Sequence, residues 1–158
     1  MFKRVYLLAL LLVTVMQLQA ATVTITAGKL STKVTNHELS TLVVNGTLDA
    51  RDFKFLADEM SKLKTLDLSN VTIVAYNSTL ADGLLLSDYY YADNTLPYCA
   101  LAGVVTLQTV TLPSNLAAID YGAFAGCSGL TAINFPSSLQ TIGDDAFNSC
   151  KEIGRAHV

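Results

Sequence analysis

A chain of 158 residues that is 51% hydrophobic, 15% charged and 8% aromatic, with Gly 9, Pro 3 and Cys 3, has the composition of a globular protein with one core; collagen, disordered tails and disulfide-stapled miniproteins are excluded. The net charge of −3 hides a regional bias, because no Lys or Arg lies between Lys64 and Lys151 while Asp67, Asp82, Asp88, Asp93, Asp120, Asp144 and Asp145 all do, a formal charge of about −7. Nucleic acid requires basic groups against phosphate, so neither it nor an anionic lipid surface is expected as a partner, and a neutral or basic protein face is.

The N-terminal segment Met1–Ala20 is predominantly apolar. Basic Lys3 and Arg4 precede an apolar run from Val5 to Met16, and a polar stretch, Gln17 to Gln19, closes on small Ala20 and Ala21. This is the layout of a secretory signal peptide, expected to occupy residues 1–20. Its apolar run falls short of the ~20 residues that span a bilayer, so no membrane span is expected once it is removed. The expected location is secreted, periplasmic or cell surface.

Residues 21–83 read as strand and helix units. Leu39, Leu42 and Val44 form an L-x-x-L-x-L pattern that returns as Leu63, Leu66 and Leu68; both read as short strands with one apolar face. Between them Phe53, Leu56, Ala57 and Met60 recur at helical spacing, with Asp49 or Asp52 placed to cap a helix over 52–60.

Residues 84–151 repeat. Leu107, Val110, Leu112, Pro113, Leu116, Ile119, Ala123, Phe124 and Cys127 each recur 23 positions later, as Leu130, Ile133, Phe135, Pro136, Leu139, Ile142, Ala146, Phe147 and Cys150. A degenerate earlier copy runs through Leu84, Leu96, Ala100, Leu101 and Gly103, and 72–95 does not keep the period. Pro113 and Pro136 stop a strand by removing a backbone donor, and Gly122, Gly126, Gly129 and Gly143 mark tight turns. Stacking puts Leu107 on Leu130, Phe124 on Phe147 and Cys127 on Cys150. The expected repeat core is therefore Leu107, Val110, Leu112, Phe124, Cys127, Leu130, Ile133, Phe135, Phe147 and Cys150.

The pattern L-x-x-V/I-x-L/F-P-S-x-L-x-x-I-x-x-x-A-F-x-x-C resembles the leucine-rich repeats of the BspA-like family of bacterial surface proteins, and the preceding block, through Leu63–Val71, is similar to the N-terminal part of such proteins; the likeness covers roughly residues 23–151. It implies a leucine-rich-repeat solenoid, α/β to mainly β, of short parallel strands in repeats of about 23 residues. It also implies an exported protein engaged in protein–protein contact, some relatives being adhesins for host matrix or other bacteria. No catalytic residue comes with the resemblance. The tail Glu152–Val158 looks like a translated sequencing adapter and is set apart from the fold; the competing reading is a further strand, with Ile153, Ala156 and Val158 in the registers of Leu130, Ile133 and Phe135.

Little in the chain points to chemistry. His37 lies in a polar stretch without a nucleophile motif, as a solvated loop histidine would. Cys99, Cys127 and Cys150 lack C-x-x-C spacing; the last two sit one rung apart, either as packed small hydrophobes or near enough for a disulfide. No calcium loop accompanies the aspartates, and neither metal nor cofactor is expected. The candidate contact surface is Ser87–Asn94 in the non-repeating stretch, with Tyr89, Tyr90, Tyr91, Asp88 and Asp93, since aromatic side chains with a polar tip are common hot-spot residues and solenoid insertions project from one face. The alternative has one or two of these tyrosines packed inward. The expected function is a secreted or cell-surface protein-binding or adhesion module without catalysis; the competing one is a structural spacer or accessory repeat region of a larger surface protein, catalytic or not, of which this chain is a part.

Overall fold

The structure, a computed structural model, describes residues 19–86 and 88–153. The expected signal peptide falls almost wholly outside those residues, as do residues 154–158. Two N-terminal units pair a strand with a helix: β1 (Ala20–Ile25) with the single-turn α1 (Leu30–Lys33), then β2 (Thr41–Leu48) with α2 (Ala50–Glu59). β3 (Thr65–Ile73) follows, then the hairpin strands β4 (Tyr76–Asn77) and β5 (Tyr90–Tyr91). The later strands are short: β6 (Thr95–Leu96), β7 (Thr109–Thr111), β8 (Ala118–Ile119), β9 (Ala132–Asn134) and β10 (Thr141–Ile142).

Five strands form one parallel sheet in the order β1-β2-β3-β7-β9, and three form a second in the order β10-β8-β6. Their register follows the repeat. Ala21, Leu42, Leu66, Val110 and Ile133 lie side by side in one inward row, and the flanking rows of Thr41, Thr65, Thr109 and of Val43, Asp67, Thr111 point outward. Each apolar rung is covered only by its neighbours, so the burial of a Leu or Phe, roughly 1.5–3 kcal/mol each, is collected by stacking. The core runs unbroken from Leu30, Leu42 and Phe53 through Leu66 and Leu107 to Phe124 and Leu130.

Between rungs the main chain repeats one hydrogen-bond device. The carbonyls of Gln19, Ser40, Lys64 and Gln108 each accept two successive N–H groups from the next rung, at 2.8–3.1 Å. The return limbs are laddered as well: Leu101 N–H donates to Ala123 and Phe124 N–H to Ala146, both at 2.8 Å. The turns repeat in backbone conformation even where the residue changes. Positive φ occurs at Cys99, Gly122 and Asp145, and again at Gly103, Gly126 and Ser149, two series that each step at the repeat period. Gly129 and Gly143 do not belong to them; a Cβ there would press on the backbone of Val105 and Tyr121 respectively, so those glycines answer to close approach of neighbouring rungs.

Three placements differ from the sequence reading. Phe135, expected in the core, is 50% exposed, because β9 is the last strand of its sheet and no described rung covers it. Ile133, Phe147 and Cys150 are half-buried on the same rung. Leu84, aligned with Leu107, does not enter the main sheet: β3 pairs directly with β7, Thr65 opposite Thr109. The degenerate copy supplies only its return limb, β6 with Leu96, Ala100 and Leu101, which are buried.

Asp49 is the N-cap of α2, accepting the Arg51 N–H at 3.0 Å, and Asp52 completes the capping box. Asp52 does more than cap. Its buried carboxylate accepts the N–H groups of Gly28 at 2.6 Å, Leu30 at 2.9 Å and Asp49 at 3.0 Å, fastening the loop before α1 to α2. Burial pushes this carboxyl above the usual carboxylate range, against the three donors that hold it down. Removing the acceptor strands those donors, so Asp52→Ala is expected to lower the unfolding free energy by about 2–4 kcal/mol. Asp52→Asn, which keeps one carbonyl oxygen, falls between the two in a urea titration; an Ala variant as stable as the parent contradicts the assignment.

Candidate functional site

The non-repeating stretch leaves the solenoid after β3 and returns to the same place. Asp93 closes the excursion by accepting the Ala75 N–H at 2.7 Å, and Asn94 N–H donates to the Ile73 carbonyl at 2.9 Å. Inside it β4 and β5 pair antiparallel, Tyr76 opposite Tyr91 and Asn77 opposite Tyr90. The pleat sends successive side chains to opposite faces: Tyr91 is buried and Tyr90 is 57% exposed. Tyr89 sits between these extremes, its ring edge-on to Tyr91 at 4.9 Å. Ser78, buried beneath the hairpin, donates to the Leu86 carbonyl at 2.7 Å and accepts the Tyr89 N–H at 2.9 Å.

Of the five candidate contact residues, then, Tyr89 and Tyr90 are presented outward and Tyr91 is not. Asp93 is exposed but committed to loop closure. Asp88 is exposed and in the left-handed region at φ 53°, a turn conformation that aspartate tolerates.

The insertion is pinned to α2. The Arg51 guanidinium lies 4.3 Å from the Tyr76 ring centroid while pairing with Asp49 through Nη2 and Oδ2 at 2.6 Å. Asp82 accepts the Thr79 N–H at 2.7 Å and its hydroxyl at 2.8 Å, closing a short turn over Leu80–Asp82. The Tyr76 hydroxyl, with those Thr79 donors, holds the Asp82 carboxyl below the usual range. Leu80 within that turn and Leu85 beyond it are 81% and 72% exposed. With Tyr89 and Tyr90 they make the insertion the main concentration of exposed large apolar side chains among the described residues.

Under the insertion lies a cavity of about 140 Å³. Phe53 and Ala57 of α2 face Tyr91 and Tyr98 across it, with Leu84 and Leu85 at its lip. Sequence reasoning missed both the cavity and an aromatic ladder beside it. Tyr98 stacks on Tyr121, centroids 5.4 Å apart, and the Tyr121 hydroxyl donates to Asp145 at 3.0 Å. The separation of those two tyrosines by one repeat length was the available signal. Asp120 precedes Tyr121 and accepts its N–H at 2.7 Å, and the negative charge of Asp120, ahead of burial, raises the Tyr89 hydroxyl above the ordinary tyrosine range.

His37 contacts Glu59, with Nδ1 to Oε2 at 3.4 Å, and its ring meets the edge of Phe55, far in sequence from any cysteine. Among the described residues no three of His, Cys, Asp and Glu converge as a metal site, and no helix is long and apolar enough to cross a membrane.

Parallel rungs stepping at a fixed repeat length, each apolar row covered by the next, define a leucine-rich repeat protein. Residues 94–158 match the family model described as the BspA type leucine rich repeat region (6 copies). Repeats of this kind generally serve protein interaction, on the extended surfaces that stacking creates. Among solved structures the chain is similar to a leucine-rich repeat protein from Bacteroides ovatus ATCC 8483, at 17% identity and a TM-score of 0.37, over 82% of this chain and 34% of that one. The chain thus spans about a third of that protein's length. No curated protein matches it.

The three cysteines are free. Cys127 donates its thiol to the Leu101 carbonyl and Cys150 to the Phe124 carbonyl, each at 3.1 Å, one rung repeating the other. Burial pushes the Cys127 thiol from near 9 up to about 12. The folded state therefore keeps a proton that the unfolded chain gives up, and the stability this carries, complete below pH 9, is lost as pH rises toward 12. Urea midpoints taken from pH 8 upward are expected to fall more steeply for the parent than for Cys127→Ala. Equal slopes in the two proteins contradict the burial of a protonated thiol.

Proposed function

We propose that this chain is a secreted or cell-surface protein-binding module, an adhesion element without catalysis, whose contact is centred on the insertion over 74–93. The observation that carries the reading is the distribution of apolar surface. The solenoid stacks its leucines inward, whereas Leu80, Leu85 and Tyr90 are held out on an excursion whose two ends are fastened together. Exposed aliphatic and aromatic side chains on a fixed scaffold suit a protein partner. Export rests on the leader-like layout of residues 1–20, and the seven aspartates with no basic residue between Lys64 and Lys151 favour a neutral or basic partner face. A division into N-terminal strand and helix units over 21–83 and BspA-like repeats over 84–151 belongs to the same proposal.

Two measurements test it. Expressed in an exporting bacterial host, the mature chain is expected to begin at Ala21 on N-terminal sequencing; an uncleaved N-terminus contradicts the export reading. Displayed on a non-adherent bacterium, the chain is expected to confer attachment to wells coated with host matrix proteins or bacterial cells. Leu85→Ala combined with Tyr90→Ala should reduce that attachment about tenfold, roughly 1.4 kcal/mol, without moving the melting temperature, because both side chains are exposed. Undiminished attachment by the folded double variant removes the insertion from the contact. Display that confers no attachment at all leaves the spacer reading in its place.

A further inference from the structure

We infer that the cavity between α2 and the insertion is an anchor pocket for one aromatic or branched aliphatic side chain of a partner protein, with a Lys or Arg of the same segment lying against Asp120. This rests on the protein-binding reading and gives it a place and a chemistry. Size sets the occupant. An apolar cavity of about 150 Å³ accommodates a benzene ring, and this one measures about 140 Å³. Drug-sized ligands need roughly 300 Å³ or more, so a single side chain fits where a free metabolite of that size does not. The walls are of matching character: Phe53 and Ala57 on the helix side, Tyr91 and Tyr98 on the other, and Leu85 standing exposed at the lip.

Charge sets the neighbour. On the α2 rim the cation Lys54 is already paired with Asp58, so that edge is neutral. Acidic groups border the opposite wall. Asp120 N–H donates to the Leu96 carbonyl at 3.0 Å, next to the lining residues Pro97, Tyr98 and Cys99, and its charge raises the Tyr89 hydroxyl; Asp145 follows one rung later on the Tyr121 hydroxyl. No Lys or Arg occurs between residues 65 and 150 to balance them. A segment that inserts an apolar side chain here and carries a basic residue beside it meets both requirements, while an acidic flank is repelled.

The test is an amide-resolved NMR titration of the full chain with three acetylated, amidated tripeptides, Lys-Phe-Lys, Glu-Phe-Glu and Lys-Ala-Lys. Lys-Phe-Lys is expected to shift the amides of Ala57, Ala100 and Ala102, all at the cavity wall. Glu-Phe-Glu should bind at least fivefold more weakly, and Lys-Ala-Lys should leave those amides in place. Ala57→Phe, which fills the cavity from α2, should abolish the shifts. Asp120→Asn, an independent variant that leaves the cavity open, should reduce Lys-Phe-Lys to the level of Glu-Phe-Glu. The pocket assignment fails if no peptide moves those amides, if the two Phe peptides bind alike, or if Lys-Ala-Lys binds as well as Lys-Phe-Lys. Attachment in the display assay that survives a folded Ala57→Phe variant also overturns the pocket while leaving the protein-binding reading intact. Absence of attachment by the parent overturns that broader reading, and the titration then decides the pocket alone.

Discussion

The doubled hydrogen bond at the head of each rung is the constraint from which the rest of the molecule follows. One carbonyl, at Gln19, Ser40, Lys64 or Gln108, receives two N–H groups from the next turn of the chain, and this fixes both the separation and the register of successive rungs. With register fixed, Leu42, Leu66 and Val110 come side by side without any side-chain specificity beyond being apolar and of similar size. The same device appears in the second sheet, where the Asn94 and Ala117 carbonyls take the paired donors of the next limb. Because the ladder imposes the backbone, the turns tolerate Cys99 and Asp145 where Gly122 stands in the middle rung. A non-glycine residue at positive φ costs of the order of 1 kcal/mol, which the bonds and packing of a rung offset.

Against that regularity the stretch after β3 stands out, and its irregularity has a definite form. The chain keeps the return limb of a repeat and abandons the strand limb, so β3 meets β7 directly and the residues that would have formed a rung are released to the outside. They come to rest on α2, where Arg51 holds Tyr76 and the side chains of Phe53 and Ala57 meet those of the insertion. Since a hairpin of two-residue strands and a helix of ten residues have no common period, their surfaces do not interdigitate fully. The cavity is the remainder. The exposed leucines and the pocket thus have a single origin, the loss of one strand limb from an otherwise continuous stack.

The periodic part of this architecture was legible in the sequence, and the reason is physical: a fixed repeat register expresses itself as identical chemistry at fixed steps. The inward row, the prolyl strand ends, the apolar face of α2 and the stacking of Phe124 on Phe147, whose rings lie 5.1 Å apart, all follow from it. What register cannot say is whether a position is covered. Phe135 and Leu112 are equivalent by spacing, yet Leu112 is buried under the following rung and Phe135 is half exposed. Nor does it assign the faces of a run such as Tyr89–Tyr91, where the inward residue is decided by which strand pairs with it, here β4 through Tyr76. The cavity depends on Leu84 leaving the register that its spacing suggests, a tertiary event with no local signal. Tyr98 and Tyr121 are the opposite case, since their separation by one repeat announced the stack.

The charge distribution completes the account of how such a surface would work. Residues 21–64 carry six basic and five acidic side chains, nearly balanced, whereas residues 65–150 carry seven aspartates and no Lys or Arg. The insertion sits at the junction, with Tyr76 against Arg51, Gly83 near Lys54, and Tyr89 within the field of Asp120. A field of one sign along the repeats would draw a basic partner of the proposed kind toward the molecule, but at physiological salt it is screened beyond about 8 Å and would raise the rate of encounter more than the lifetime of a complex. Lifetime has to come from desolvated apolar contact. The only strongly exposed aliphatic side chains beside that acidic field among the described residues, apart from Val105 and the uncovered last rung, are Leu80 and Leu85. In the proposed function the repeats would supply attraction and the interruption in them grip, so that this function depends on the one place where the regularity of the chain fails.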